Sequence, residues 1–188
     1  IELGRWRELE EFHYHRYLAG ELDYLGQRRE RARGFASKYG VTLDEDGEAE
    51  AWFNDYVGHY RAAWQLHADA LPCLDELAGR GIRLGIITNG DVDFQRAKID
   101  ALGLADRFEH VVASGALGFA KPDRRIFEHA CALFDVPVSS ALYVGDRLLT
   151  DAVGAAEAGL TGVWLDRLGG SREELATAAA SGARVIST

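Results

Sequence analysis

A hydroxyl and two exposed backbone N–H groups follow one apolar run of the chain. Thr88, Asn89 and Gly90 come directly after the apolar segment Ile82–Ile87. A hydroxyl and N–H groups at the end of a strand, before a helix, suit an anionic oxygen such as that of a phosphate. The same residues also suit a simple turn with a helix cap, in which Asn89 or Asp91 is the capping residue.

A single ammonium group stands at a second position of this kind. Lys121 precedes Pro122, and a proline disfavours helical backbone in the residue before it, so Lys121 lies on a turn that leads into a helix. It is one of only three lysines, with Lys38 and Lys98, among 21 cationic residues. An ammonium at such a turn is either a surface charge or a clamp for a phosphate or carboxylate.

Two carboxylates flank the start of a further predicted helix. Asp146 follows Gly145 at the end of the apolar segment Ala141–Val144, and Asp151 comes five residues later. One interpretation makes Asp146 a helix cap and Asp151 a solvated residue. In the other, the small Gly145 lets the backbone approach a ligand while Asp146 offers a hard oxygen to Mg²⁺.

The elements that position these residues follow from the hydrophobic periodicity. Apolar residues recur at helical spacing from residue 5 to about residue 68, which predicts three amphipathic helices, the third capped by Asp44 or Asp46. From Gly81 onward, short apolar strands alternate with helices, which predicts a doubly wound parallel α/β sheet. The predicted strands are Ile82–Ile87, His110–Ala113, Leu142–Val144, Gly162–Leu165 and Arg184–Ile186.

The order of these elements predicts a ligand crevice. In a doubly wound sheet, polar residues just past the carboxyl ends of the strands line the binding site. Thr88, Lys121 and Asp146 each follow a different predicted strand. We therefore expect a hydroxyl, an ammonium and a carboxylate to converge at one edge of one sheet.

Composition excludes several classes of partner. The net charge of −9, from 30 acidic and 21 basic residues, argues against binding to nucleic acid or to an anionic membrane surface. No run of about 18 apolar residues occurs, which argues against a membrane span. Only two cysteines are present, and the N-terminal residues lack an apolar signal core, so a cytoplasmic protein is the default expectation.

Three segments resemble motifs of a known family. Ile86–Gly90, Ala120–Asp123 and Gly145–Asp151 resemble the second, third and fourth motifs of the haloacid dehalogenase (HAD) superfamily, in the order and spacing of its phosphatase-like members. The resemblance implies an α-helical cap over residues 1–70. It also implies a Rossmann-like core over residues 71–188 that lacks its first strand.

The resemblance assigns a role to each residue of the predicted crevice. Thr88 hydrogen-bonds the transferring phosphoryl group, with the backbone of Asn89 and Gly90 beside it. Lys121 neutralises charge on the nucleophile and on the phosphoryl oxygens. Asp146 binds Mg²⁺. Asp151 does not contact the substrate but orients either the metal site or Lys121.

The family's first motif is missing from this sequence. That motif, DxDxT or DxDxV, ends a central strand and carries the nucleophilic aspartate, and no such strand precedes residue 5. Asp44–Asp46 and Asp91–Asp93 have the same spacing of aspartates. We interpret the first as a turn between helices and the second as the start of a helix. In the family this strand lies between those ending at Ile87 and Val144. We therefore expect the chain to be part of a longer protein and to be inactive alone.

The function implied is that of a Mg²⁺-dependent phosphatase. It would act on a small phosphorylated metabolite through an aspartyl-phosphate intermediate, and a phosphomutase stays open as a variant. One alternative is a metal-independent 2-haloacid dehalogenase, which the carboxylate of Asp146 disfavours. The other is a HAD-like binding protein without catalysis, which only the missing first motif favours. Substrate identity and oligomeric state stay open.

Overall fold

The chain folds into two compact units. The computed structural model describes residues 2–187, and the division between the units falls between Trp64 and Gln65. The sequence-based boundary was residue 70. None of the helices in the described part of the chain is long and apolar enough to cross a bilayer.

The N-terminal unit contains three α-helices among its described residues. They are α1 (Glu2–Leu18), α2 (Tyr24–Ala36) and α3 (Asp46–Ala62), as the helical spacing predicts. The cap predicted for α3 was wrong, because Glu45 precedes the helix and its N–H donates to the Glu48 carboxylate at 3.2 Å. The Asp46 carboxylate instead forms ion pairs with Arg29 and Arg33, at 2.6 and 2.7 Å.

Aromatic packing holds the three helices together. Trp6, Ala32, Ala49 and Phe53 form a buried cluster, against which further aromatic and aliphatic side chains pack. The guanidinium of Arg31 lies 4.6 Å from the Trp6 ring centroid and pairs with Glu10 at 2.9 Å. The aromatic residues of this unit thus serve as its core.

The C-terminal unit alternates helices and strands. Its elements are α4 (Ala70–Gly79), β1 (Gly85–Thr88), α5 (Val92–Ala101), β2 (His110–Ala113), α6 (Arg124–Leu133), β3 (Leu142–Gly145), a π-helix (Leu148–Val153), α7 (Gly154–Glu157), β4 (Thr161–Leu165), α8 (Arg172–Ser181) and β5 (Arg184–Ile186). Strand β1 begins three residues later than predicted, because the Ile82 N–H is bonded to the Leu77 carbonyl at the end of α4. Strand β1 also ends one residue later than predicted, at Thr88.

All strand pairs are parallel, as the predicted α/β class requires. Within residues 2–187, however, the strands form two ladders, β1 with β2 and β3 with β4 and β5. Strands β1 and β3 therefore each end a ladder. The Tyr143 hydroxyl on β3 donates to the Ile87 carbonyl on β1 at 3.0 Å, so a side chain links the two ladders at this point.

Helices α6 and α7 supply much of the buried apolar surface. Ile126 and Phe127 of α6 are fully buried and pack with Val112 of β2 and Ala155 of α7. A second buried cluster forms around Trp164 of β4. Leu117 and Phe119, in the loop after β2, pack against the first cluster, and Leu148, after β3, belongs to the second.

Candidate active site

The loop after β1 is fixed by side-chain hydrogen bonds. Asn89 binds the backbone of Lys121 at both ends of its carboxamide: Nδ2 donates to the Lys121 carbonyl at 2.9 Å, and Oδ1 accepts from the Lys121 N–H at 2.8 Å. Asp91 caps α5 by accepting from the Phe94 N–H at 2.9 Å. The capping residue is therefore Asp91, and Asn89 joins two loops.

The turn directly after β2 contributes a residue that the sequence did not single out. The Oγ of Ser114, which is buried, accepts from the Gly90 N–H at 2.9 Å. The Gly115 N–H donates to the Gly90 carbonyl at 2.9 Å, and a Cβ on Gly115 would lie only 2.8 Å from that oxygen. The Gly90 N–H, which we expected to face a phosphoryl oxygen, instead donates its hydrogen bond to Ser114.

Lys121 is buried and bonded on two sides. Its Nζ lies 2.7 Å from Oδ1 of Asp151 and 2.6 Å from the hydroxyl of Tyr143. The side chains of Lys121 and Asp151 are only 10% and 4% exposed. A buried ammonium requires such compensation, because desolvation of an unpaired charge is costly.

Asp151 is held by the turn that precedes it. Its second carboxylate oxygen accepts from the Arg147 N–H at 3.1 Å. A Cβ on Gly145 would lie 2.4 Å from the Asp151 side chain, so only glycine leaves room for it. Burial to 3% exposure excludes the interpretation of Asp151 as a solvated residue.

Asp146 differs from Asp151 in its surroundings. Its side chain is exposed, and its backbone carbonyl accepts from the Trp164 Nε1–H at 3.1 Å, which fixes the chain just after β3. No group of three or more His, Cys, Asp or Glu residues in the described part of the chain could hold a metal ion. The donor set therefore fits Mg²⁺ only as one carboxylate completed by phosphate and water oxygens, a common arrangement for this ion.

Tyr143 keeps its proton. Burial raises the pKa of the Tyr143 hydroxyl well above its usual range, and the negative charges of Asp151 and Asp146 raise it further. The hydroxyl therefore donates to the Ile87 carbonyl while accepting from Lys121.

Hydrogen bonds join three of the predicted residues, and Thr88 and Asp146 are connected to them only along the chain. Hydrogen bonds join Asn89 to Lys121 and Lys121 to Asp151. Thr88 precedes Asn89 in the chain, and Asp146 precedes Arg147, whose N–H binds Asp151. A continuous set of contacts thus connects the ends of β1 and β3 through the loop that contains Lys121.

Comparison with known proteins identifies the family of this chain. The family model described as "haloacid dehalogenase-like hydrolase" matches residues 2–159. The chain belongs to this family. The assignment agrees with the resemblance drawn from the three motifs, and HAD members of known structure share the α/β fold described above.

This chain spans only part of the length of each relative that it matches. A phosphoserine phosphatase from Thermus thermophilus is 40% identical over 119 residues, which are 63% of this chain and 46% of that protein. The structure of a putative HAD-hydrolase, YfnB from Bacillus subtilis, bound to magnesium, matches with a TM-score of 0.74 and 21% identity, over 87% of this chain and 72% of that one. An L-2-haloacid dehalogenase from Xanthobacter autotrophicus matches with a TM-score of 0.69 and 26% identity, over 94% and 69%.

The observed part of the predicted site is a buried ammonium with fixed partners. Lys121 and Asp151 are buried, and the Lys121 backbone is bound by Asn89. A fixed ammonium of this kind can stabilise negative charge better than mobile water does. Asn89, Ser114, Tyr143 and Asp151 hold the loops and side chains in place through the hydrogen bonds described above.

Proposed function

We propose that the protein is a Mg²⁺-dependent phosphatase of a small phosphorylated metabolite. The observation that carries the proposal is the buried Lys121, held by Asp151 and joined through Asn89 to the loop that begins at Thr88. The relative named as a phosphoserine phosphatase supports phosphate ester hydrolysis over other HAD reactions. The proposal includes an aspartyl-phosphate intermediate, as in the family.

Lys121 has one N–H left for the phosphoryl group. An ammonium has three donors, and Asp151 and Tyr143 accept two of them. The third can donate to a phosphoryl oxygen or to the nucleophile. Because the charge is fixed before substrate arrives, it stabilises the transition state without reorganisation.

Thr88 and Asp146 complete the proposed site. The Thr88 hydroxyl donates to a second phosphoryl oxygen, and the Asn89 N–H lies beside it in the chain. Asp146, together with phosphate oxygens, would hold Mg²⁺, which supplies positive charge that offsets the charge of the phosphoryl oxygens. Gly90 acts through its hydrogen bond to Ser114, which shapes the loop.

The two units would divide the work. We propose that the helical N-terminal residues 1–70 form a cap that selects the substrate, and that residues 71–188 form the core that carries the chemistry. We also propose that the protein acts in the cytoplasm.

A second candidate is a 2-haloacid dehalogenase. The structural likeness to the Xanthobacter autotrophicus enzyme, at 26% identity, favours it. The carboxylate of Asp146 disfavours it, because a metal-independent site that attacks an anionic haloacid gains nothing from a negative charge there.

One assay separates the two candidates. The full-length protein is incubated with p-nitrophenyl phosphate, with and without Mg²⁺, and in parallel with 2-chloropropionate. Metal-dependent release of p-nitrophenol supports the phosphatase. Chloride release without metal would replace it with the dehalogenase, and no turnover of either compound would contradict both.

A further inference from the structure

Tyr143 links three parts of the candidate site through one hydroxyl. Its oxygen accepts from Lys121 Nζ at 2.6 Å and donates to the Ile87 carbonyl at 3.0 Å. Ile87 precedes Thr88 on β1, whereas Tyr143 lies on β3. A directed chain of hydrogen bonds thus runs from the ammonium through the phenol to the backbone next to Thr88.

The Tyr143 ring is fixed independently of this hydroxyl. It packs edge to face against Phe127, with centroids 5.3 Å apart, and Phe127 is fully buried. The Lys121 ammonium lies 5.1 Å from the Tyr143 ring centroid. Because the ring is anchored in the core, the position of the hydroxyl is set by packing as well as by hydrogen bonds.

Asp151 alone would leave the ammonium less well defined. A single carboxylate oxygen fixes one N–H direction, and the remaining two N–H bonds can rotate about it. The second acceptor at 2.6 Å removes that freedom and aims the third N–H in one direction. The charge of Lys121 is thereby set before substrate binds.

We propose that Tyr143 is a positioning residue that aims the Lys121 ammonium at the phosphoryl group and couples it to the Thr88 end of β1. This inference rests on the proposed phosphatase function for its catalytic consequence. Its structural part, the restraint of Lys121 by the phenol, holds for any reaction at this site.

Tyr143→Phe tests the restraint directly. The variant keeps the ring and its packing against Phe127 but removes both hydrogen bonds. With ¹⁵N-labelled lysine, the chain presents three ammonium groups, Lys38, Lys98 and Lys121, so the signals can be assigned by substitution. We expect a slowly exchanging Lys121 ammonium signal in the wild type that broadens or shifts in Tyr143→Phe, with Lys38 and Lys98 unchanged.

Kinetics supply the second readout. With p-nitrophenyl phosphate and Mg²⁺, we expect kcat to fall about ten-fold to one-hundred-fold, the effect of losing a hydrogen bond to a charged group. KM should change by less than about two-fold, because the interaction acts on the transferring group. Thr177→Val, which removes a hydroxyl on α8 that donates to the Glu173 carbonyl at 3.0 Å, is the control and should leave both constants unchanged.

The outcomes separate the inference from the proposed function. An unchanged Lys121 signal in folded Tyr143→Phe overturns the inference, whatever the activity. A wild type without phosphatase activity overturns the proposed function, and the lysine signal then decides the inference alone. If Tyr143→Phe does not fold, 3-fluorotyrosine at position 143 keeps the ring and hydroxyl while changing its acidity. The Lys121 signal should then shift, and an unchanged signal would overturn the inference.

Discussion

The Asn89 carboxamide and the Lys121 backbone are joined by two hydrogen bonds, 2.9 and 2.8 Å long. Asn89 follows β1, and Lys121 stands in the loop between β2 and α6. This double contact ties the two loops together, and it brings the end of β1 to the lysine. The integrity of the site therefore depends on a side chain that need not touch substrate.

Asn89→Ala should lower both stability and activity. It leaves the N–H and carbonyl of Lys121 without their partner, which costs about 1–3 kcal/mol. For a chain of this size, each 1 kcal/mol lowers Tm by about 2–4 °C. Thermal unfolding measures the effect, and Asn54→Ala, at an exposed helical position, is the control that should change Tm little. An unchanged Tm for Asn89→Ala would show that the contact contributes nothing.

Gly145→Ala should displace Asp151. The added Cβ would lie 2.4 Å from the Asp151 side chain, so the turn after β3 must shift, at a cost of about 1–3 kcal/mol. Gly79→Ala is the matched control, because a Cβ there meets nothing within 4 Å. It should be neutral or stabilise the protein by about 0.4–1 kcal/mol. Urea unfolding compares the two variants, and equal effects would contradict the steric explanation.

Substitution of one partner in the Lys121–Asp151 ion pair should strongly lower the free energy of unfolding. Asp151→Asn leaves a buried ammonium without its counter-charge, which costs about 3–5 kcal/mol. The double variant Lys121→Met with Asp151→Leu should recover most of this loss while abolishing phosphatase activity. Chemical denaturation of Lys121→Met, Asp151→Leu and their double variant measures the coupling between the residues.

An exposed pair provides the comparison for this ion pair. Arg80 pairs with Glu76 on the surface of α4, where both side chains are more than 60% exposed. Arg80→Ala should cost less than about 1 kcal/mol. Similar losses in Arg80→Ala and Asp151→Asn would show that burial does not govern the energy of the Lys121 pair.

The N-terminal unit should lose stability in mild acid because of His13. Burial lowers the pKa of His13, opposed by Glu30, and the nearby Arg16 and Arg31 lower it further. The unfolded chain then binds a proton at a higher pH than the folded chain does. The contribution of neutral His13 to the free energy of unfolding is complete above about pH 6.5, and it is lost as the pH falls below that value.

Substitution of His13 checks this pH dependence. Urea unfolding between about pH 5 and pH 7.5 should show a flatter dependence for His13→Gln than for the wild type. His59→Gln, at a side chain that is 83% exposed, should leave the dependence unchanged. A wild-type profile with no slope in this range would contradict the effect assigned to His13.

The sequence predicted the elements of the C-terminal unit well where local signals agree. Strands β2 and β5 have the predicted bounds, since short apolar runs there lie between turns and helices. The start of β1 was misplaced because the hydrogen bond from Ile82 to Leu77, which decides it, depends on the end of α4. The division into two ladders agrees with the resemblance, which places the family's first strand between those ending at Ile87 and Val144.

The candidate site was predictable in part. Thr88, Lys121, Asp146 and Asp151 stood out because polar groups after apolar runs carry a chemical signal. Tyr143 and Ser114 did not, because an aromatic residue in a strand and a serine after one are ordinary features. Their hydrogen bonds arise only when loops distant in sequence meet.

Co-crystallisation of the full-length protein with orthovanadate and Mg²⁺ tests the central claim most directly. Vanadate mimics a phosphoryl group in transfer. The proposed site predicts vanadate oxygens within hydrogen-bond distance, about 2.7–3.2 Å, of both Thr88 Oγ and Lys121 Nζ, with Mg²⁺ coordinated by Asp146. Vanadate bound away from Thr88 and Lys121, or Mg²⁺ bound without Asp146, would contradict the claim.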